Sequence, residues 1–359
     1  MQATMPTTRS AGPLGWLKKN SWLLALLVFM IFFPFLLALL DGQPLSSVLA
    51  NETGNARFMQ GLMIEIFVLA IFALSYDLVL GITGLLSFGH AMFFAVGAYT
   101  TGIMLKSFEW GILASAGAVI LAGFVNALLF GLVLPRVKGI TFALVTLGLA
   151  AVFEIIVKST ELQEWTGADV GLQGVIVPDW INTSTERFRL YLLGLLLLFV
   201  IYVIYRRFVD SPTGRVCIAI RENENRALML GYNTFYFKLV ALIVSSITAA
   251  LAGFLHTIHQ PIVSPTIAGL GYTVAALLMI LMGGIGTLSG AVVGAAVFRL
   301  LEFYLERWFG EAANFLLGMV YIILVMFIPY GIVGTWQLRR LDIQRGRDRL
   351  IRLLTGKAS

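Results

Sequence analysis

Five ionisable side chains, Glu65, Asp77, Glu154, Arg299 and Glu302, fall within or at the ends of long apolar stretches of this 359-residue chain. Charge is expensive in hydrocarbon, so such residues are by default candidates for an ion path, a relay or a binding site. Glu65 and Asp77 stand out because both lie on the apolar run that leads into a glycine-rich break at Gly81. Twelve residues apart, they are separated by about 3.3 helical turns, which puts them on related faces. A buried structural hydrogen bond is the simpler role for each, and a place on a translocation path the more specific one. Other chemistry is thin. His90, His256 and His259 show no metal spacing beyond the His256 and His259 pair at one end of a span, which reads as interfacial. The single cysteine, Cys217, allows neither an intramolecular disulfide nor a cysteine metal cluster. Patterns for nucleotide hydrolysis or proteolysis are absent, so no catalytic residue and no metal site are expected.

A polar island, Asp210 to Tyr232 (DSPTGRVCIAIRENENRALMLGY), lies between apolar blocks and therefore outside hydrocarbon, where unsatisfied polar groups cost several kcal/mol each. Arg206, Arg207, Arg215, Arg221 and Arg226 outnumber Asp210, Glu222 and Glu224, and such an excess beside a span marks the cytoplasmic side. Asn223 can cap a short helix that Gly231 terminates, because Asn supplies a side-chain acceptor and Gly tolerates a left-handed conformation. A short cytoplasmic helix on a membrane protein is a docking handle for something soluble.

The elements that must hold these residues are membrane helices. The chain is 59% hydrophobic and 12% charged, with a mean hydropathy of +0.90, which excludes an ordinary soluble globule. Its net charge of +6 sits in loops and the tail. That pattern reads as membrane orientation and attraction to anionic lipid, not as nucleic-acid binding. A span needs about 20 apolar residues. Such runs occur at 22–40, 60–80, 85–105, 111–134, 140–158, 190–205, 237–258 and 313–335. The stretch 271–305 is too long for one span and is read as two short helices joined by GGIGTLSG. The expected fold is an all-α polytopic membrane protein of about ten transmembrane helices with short Gly-broken pairs. Basic residues before the first span, at Arg136 and Lys138 and in the tail place both termini inside. The loop Ser159 to Arg189, richer in acids, falls outside. Three regions follow: a cytoplasmic segment over 1–21, a transmembrane domain over 22–336 with its cytoplasmic loop at 206–236, and a basic cytoplasmic tail over 337–359.

GITGLLSFG (Gly81 to Gly89) and GGIGTLSG (Gly283 to Gly290) echo each other, each placing Gly, Leu-Ser and Gly at a break between apolar half-blocks. Paired Gly-interrupted segments in the two halves of a chain point to a transport pathway. The hinge or path candidates are therefore Gly81, Gly84, Ser87, Gly89, Gly283, Gly284, Gly286 and Ser289, with Glu65 and Asp77 beside them. Tight turns and small-residue helix packing would explain the same glycines.

LSYDLVLGITGLLSFGHAMFFAVGAYT (Leu74 to Thr100), TGADVGLQG (Thr166 to Gly174), SPTGRVCIAIRENENRALMLGYN (Ser211 to Asn233) and GGIGTLSGAVVGA (Gly283 to Ala295) together resemble the LivM-type permeases of branched-chain amino acid ABC importers. The resemblance runs from about residue 60 to 335 and implies a multi-pass subunit of a bacterial inner membrane. It implies four kinds of partner: a LivH-type second permease, two cytoplasmic ATPases, a periplasmic solute-binding protein and the lipid bilayer. No cofactor is expected in this chain, since ATP and Mg would be bound by the ATPases. The polar island then looks like the ATPase-coupling helix, with Arg215, Arg221, Glu222, Asn223, Glu224, Arg226 and Gly231 as its contact set. In TGADVGLQG, Gly167, Asp169, Gly171 and Gln173 match the amino acid branch and are candidates for meeting the binding protein. A second Asp often replaces Val170 there. Related permeases carry urea or short amides, which are the alternative cargo. An ion-coupled carrier or channel acting alone is the alternative of another class; it would need charged partners at mid-membrane.

Overall fold

The computed structural model describes residues 21–44, 48, 51, 54–134 and 136–337. The segments expected over 1–21 and 337–359 lie, but for their innermost residues, outside the described residues. Helices α1 (Ser21–Leu40), α2 (Asn55–Tyr76), α3 (Ala91–Lys106), α4 (Ile112–Gly131), α5 (Ile140–Lys158) and α6 (Arg187–Asp210) build the first part of the chain. The polar island forms α7 (Pro212–Glu222) and α8 (Glu224–Met229). Then come α9 (Thr234–His259), α10 (Leu270–Gly283), α11 (Leu288–Phe309) and α12 (Ala313–Phe327). The protein is an all-α polytopic membrane protein. Among the described residues, seven stretches are long and apolar enough to cross a membrane. The last of them contains both α11 and α12, and α3 and α10 are shorter apolar helices.

Burial follows composition. In α2 the run IEIFVLAIFALSY is apolar on nearly every face, and such a helix belongs at the centre of a bundle. It packs against α6, α9 and α11. Helices α4, α5 and α12 instead turn Leu, Ile and Phe outward, Leu113 and Ile140 among them, as a lipid-facing layer must. The closest crossing joins α3 and α9. There Gly97 lies on the Ala250 carbonyl and Gly253 on the Phe94 carbonyl, so two backbones meet where larger side chains would hold them apart.

Three boundaries differ from hydropathy. The span expected at 60–80 starts at Asn55 and ends in a wide π-helical turn, Asp77–Ile82. The span expected at 85–105 begins only at Ala91, after an irregular run that carries the Gly-rich break. The last span, expected to reach 335, stops at Phe327 because Pro329 withholds the N–H that regular winding needs. The loop between α5 and α6 contributes strand β1 (Leu172–Gln173), which pairs antiparallel with β2 (Ile262–Val263) just beyond α9.

Candidate functional site

The wide turn explains the first half of the site. Regular winding would offer the Gly81 carbonyl to the N–H of Leu85, but that N–H reaches back to the Val79 carbonyl at 2.8 Å. Arg221, at the end of α7, donates to the Gly81 oxygen from its guanidinium. A charged donor on a helix-end carbonyl contributes about 1.5–3 kcal/mol. Asp77, wholly buried, accepts at Oδ1 from the Gly286 N–H at 2.7 Å. The two Gly-broken turns are thereby joined to each other and to the polar island. Gly84 (φ +78°) lies under the Cα and stem of Arg221, and Gly286 (φ +76°) lies against Gly81 and Arg221. Both adopt the left-handed region that disfavours a Cβ.

The island itself is two helices at an angle. Ser211 caps α7, accepting from the Gly214 N–H at 3.2 Å, with Pro212 at the first helical position. Gly214, Cys217 and Ile220 form the inward face of α7. Burial pushes the Cys217 thiol up to about 11. Asn223 breaks the path and caps α8, its Oδ1 accepting from the Arg226 N–H at 2.9 Å, and Gly231 follows with φ +85°. Glu224 turns inward to Lys238 at 2.6 Å and Thr234 at 3.1 Å. Burial pushes its pKa up, but these partners outweigh burial and hold it below the usual carboxylate value. The contact set expected from sequence therefore divides. Arg221 and Glu224 brace the island from within, and Arg215 donates to the Asp210 carbonyl at 3.3 Å. Glu222 and Arg226 are exposed, next to an apolar tip in which Met229 is 87% and Leu230 72% exposed.

Glu65 is elsewhere. At 1.5 Å per residue it lies about 18 Å along the helix from Asp77. The two carboxylates each have their own partners. Glu65 Oε2 accepts from Arg299 Nη2 at 2.6 Å and Nε at 2.7 Å, and its Oε1 accepts from Gln260 Nε2 at 3.2 Å. His259 Nε2 stands 3.7 Å from that Oε1. Arg299 Nη1 donates to Glu302 Oε2 at 2.7 Å. These groups line a cavity of about 780 Å³ together with Leu69, Tyr272 and Phe298. His259, read from sequence as interfacial, is buried beside this charge cluster at the end of α9. Among the described residues no group of three or more His, Cys, Asp and Glu is arranged to hold a metal ion.

The motif Thr166 to Gly174 meets a residue of the cavity lining through its strand. Gln173 pairs with Ile262, a cavity-lining residue, and its carbonyl accepts from Lys106 Nζ at 2.8 Å. Gly171 is buried against the Val263 carbonyl and Gly167 against Gly171, so these two shape the loop, while Asp169 and Gln173 are exposed. Of the remaining path candidates, Gly89 packs on Thr146, Gly283 on Gly290 and Gly284 near the Tyr330 carbonyl. Ser87 is fully buried. Ser289 lines a separate apolar groove with Leu23, Met30 and Leu198, away from the charged cavity.

A family model described as branched-chain amino acid transport system, permease component, matches residues 58–328. The chain is 28% identical over 345 residues to the high-affinity branched-chain amino acid transport system permease protein LivM of Salmonella typhimurium, covering 88% of this chain and 75% of that one. Identity to the LivM protein of Escherichia coli is 27% over the same extents. The corresponding LivH protein of Salmonella typhimurium is 26% identical over 293 residues, 74% of this chain and 91% of its own. No solved structure gives a significant match.

Proposed function

This chain belongs to the family of branched-chain amino acid transport system permease components, and from that premise we propose that it is the membrane-spanning subunit of an ATP-binding-cassette importer for branched-chain or related amino acids. In this reading it lies in a bacterial inner membrane beside a LivH-type permease. Two cytoplasmic ATPases, which bind ATP and Mg, dock on α7 and α8, and a periplasmic binding protein delivers solute to the outer loop. The observation that carries it is the Arg221 clasp: a displacement of the exposed two-helix island pulls directly on both Gly-broken turns through Gly81 and Gly286. That is what an element moved by ATPase closure requires, a rigid lever with a hinge at its inner end.

The test reconstitutes the full chain in liposomes, alone and with its partners. Leucine uptake is expected only from the complete assembly with ATP. A second reading, an ion-coupled carrier acting alone, draws on the Glu65, Arg299 and Glu302 cluster, the intramembrane charges such a carrier needs. Uptake by the isolated chain, driven by an ion gradient, would replace the first reading with the second.

A further inference from the structure

Burying an ion pair returns little net stability, and an apolar replacement of the same volume is often as good or better. The charges around the cavity therefore call for another role. The cluster is also unbalanced: Glu65 and Glu302 face a single guanidinium. Arg299 directs N–H groups from all three of its nitrogens at these carboxylates, so it is a fixed counter-ion held in place from both sides. Glu302 engages it through Oε2, leaving Oε1 for another donor. Two carboxylates set against one guanidinium, with His259 beside them, leave a place for one cationic group in a largely apolar cavity.

The rest of the wall says what that cation is attached to. Leu69, Tyr272 and Phe298 give the same cavity an apolar surface, and Phe298 is itself largely buried, so this wall is preformed. Gln260 and His259 line the same cavity, polar groups able to meet a carboxylate, as are the N–H groups of Arg299 not aimed at Glu65 or Glu302. We propose that this cavity is a binding site within the membrane for a zwitterionic amino acid with an apolar side chain, its ammonium held by Glu302 and Glu65 and its side chain laid on Leu69, Tyr272 and Phe298. The proposal rests on the importer reading for its role in transport but not for binding itself. The strand pair, through Gln173 and Ile262, joins the motif Thr166 to Gly174 to the cavity lining.

The test is thermal unfolding of the full chain in lipid nanodiscs, alone and assembled with its partners, in the presence of three probes. Leucine carries every feature. Its keto acid, 4-methyl-2-oxopentanoate, lacks the ammonium, and 3-methylbutylamine lacks the carboxylate. Leucine is expected to raise the midpoint saturably, the amine to retain part of that shift and the keto acid to give none. Glu302→Gln keeps the shape but removes the charge, and is expected to weaken leucine binding at least about tenfold and to lower ATP-driven leucine uptake while ATP hydrolysis persists. Ala275→Trp fills the cavity without touching a charge and is expected to abolish the leucine shift, so a folding defect in the first variant leaves the question answerable. Equal stabilisation by the keto acid, a leucine shift that survives both variants, stabilisation by sodium ion alone, or no leucine shift at all would overturn the proposal. Absence of ATP-driven uptake in the unaltered assembly would instead overturn the importer reading and leave the binding result standing.

Discussion

Arg221 is where the two sequence motifs of greatest interest meet. Its stem lies on Gly84 and its guanidinium on the carbonyl that the wide turn leaves over. Arg221→Ala removes a charge-assisted bond of about 1.5–3 kcal/mol and should leave the chain in the membrane with leucine uptake reduced at least tenfold. Gly84→Val, which forces a β-branched residue to φ +78° under the same stem, should cost at least about 1–2 kcal/mol. Both are read from uptake and from the thermal midpoint of the purified protein. Wild-type uptake by Arg221→Ala would show that the clasp transmits nothing. In sequence, Arg221 is one arginine among several on a basic loop. Nothing local marks its partner 140 residues away, and the same holds for Glu65 and Arg299, 234 residues apart. The Asn223 cap was legible because a cap is decided within three residues.

At the level of elements, α7 and α8 divide the work of one loop. The first is anchored by Cys217, Ile220 and Arg221; the second projects Met229 and Leu230, with Glu222 and Arg226 beside them. Docking surfaces concentrate their energy in a few packed residues within a polar rim. Leu230→Glu should therefore weaken ATPase association by about 2 kcal/mol, roughly thirtyfold, and reversal of Glu222 or Arg226 by less. Association of the labelled ATPase subunit with the permease in nanodiscs measures this, and unchanged affinity in Leu230→Glu would remove the tip from the interface. Helix existence was plain from hydropathy, since twenty apolar residues have few alternatives. Helix ends were less so: the late start of α3 follows the left-handed turn at Gly84 and the stop of α12 follows from Pro329, not from apolar content.

For the whole molecule, orientation is the property that loop charge predicts and packing alone does not fix. The island carries the arginine excess and the loop over 159–189 the acids. Met229→Cys should thus react with an impermeant thiol reagent only from the cytoplasmic side, and Trp180→Cys, at a position 51% exposed, only from outside. Cys217 is buried and gives no background. Labelling of both from one side would overturn the orientation. The charged cavity and the clasp lie about 18 Å apart on one central helix, so the molecule keeps its two functional candidates on a single rod.

That rod contains one residue of slack. A π-type turn holds one residue more than regular winding accommodates. Losing any single residue between Asp77 and Ile82 would let the helix close up, and at 3.6 residues per turn everything beyond would swing by about 100° relative to everything before. Glu65 would keep its guanidinium, while Gly81 would turn away from Arg221 and Gly286. In evolutionary terms the two ends of the protein are separable by one codon: a deletion there would leave a chain that folds and keeps its cavity but has lost its connection to the lever.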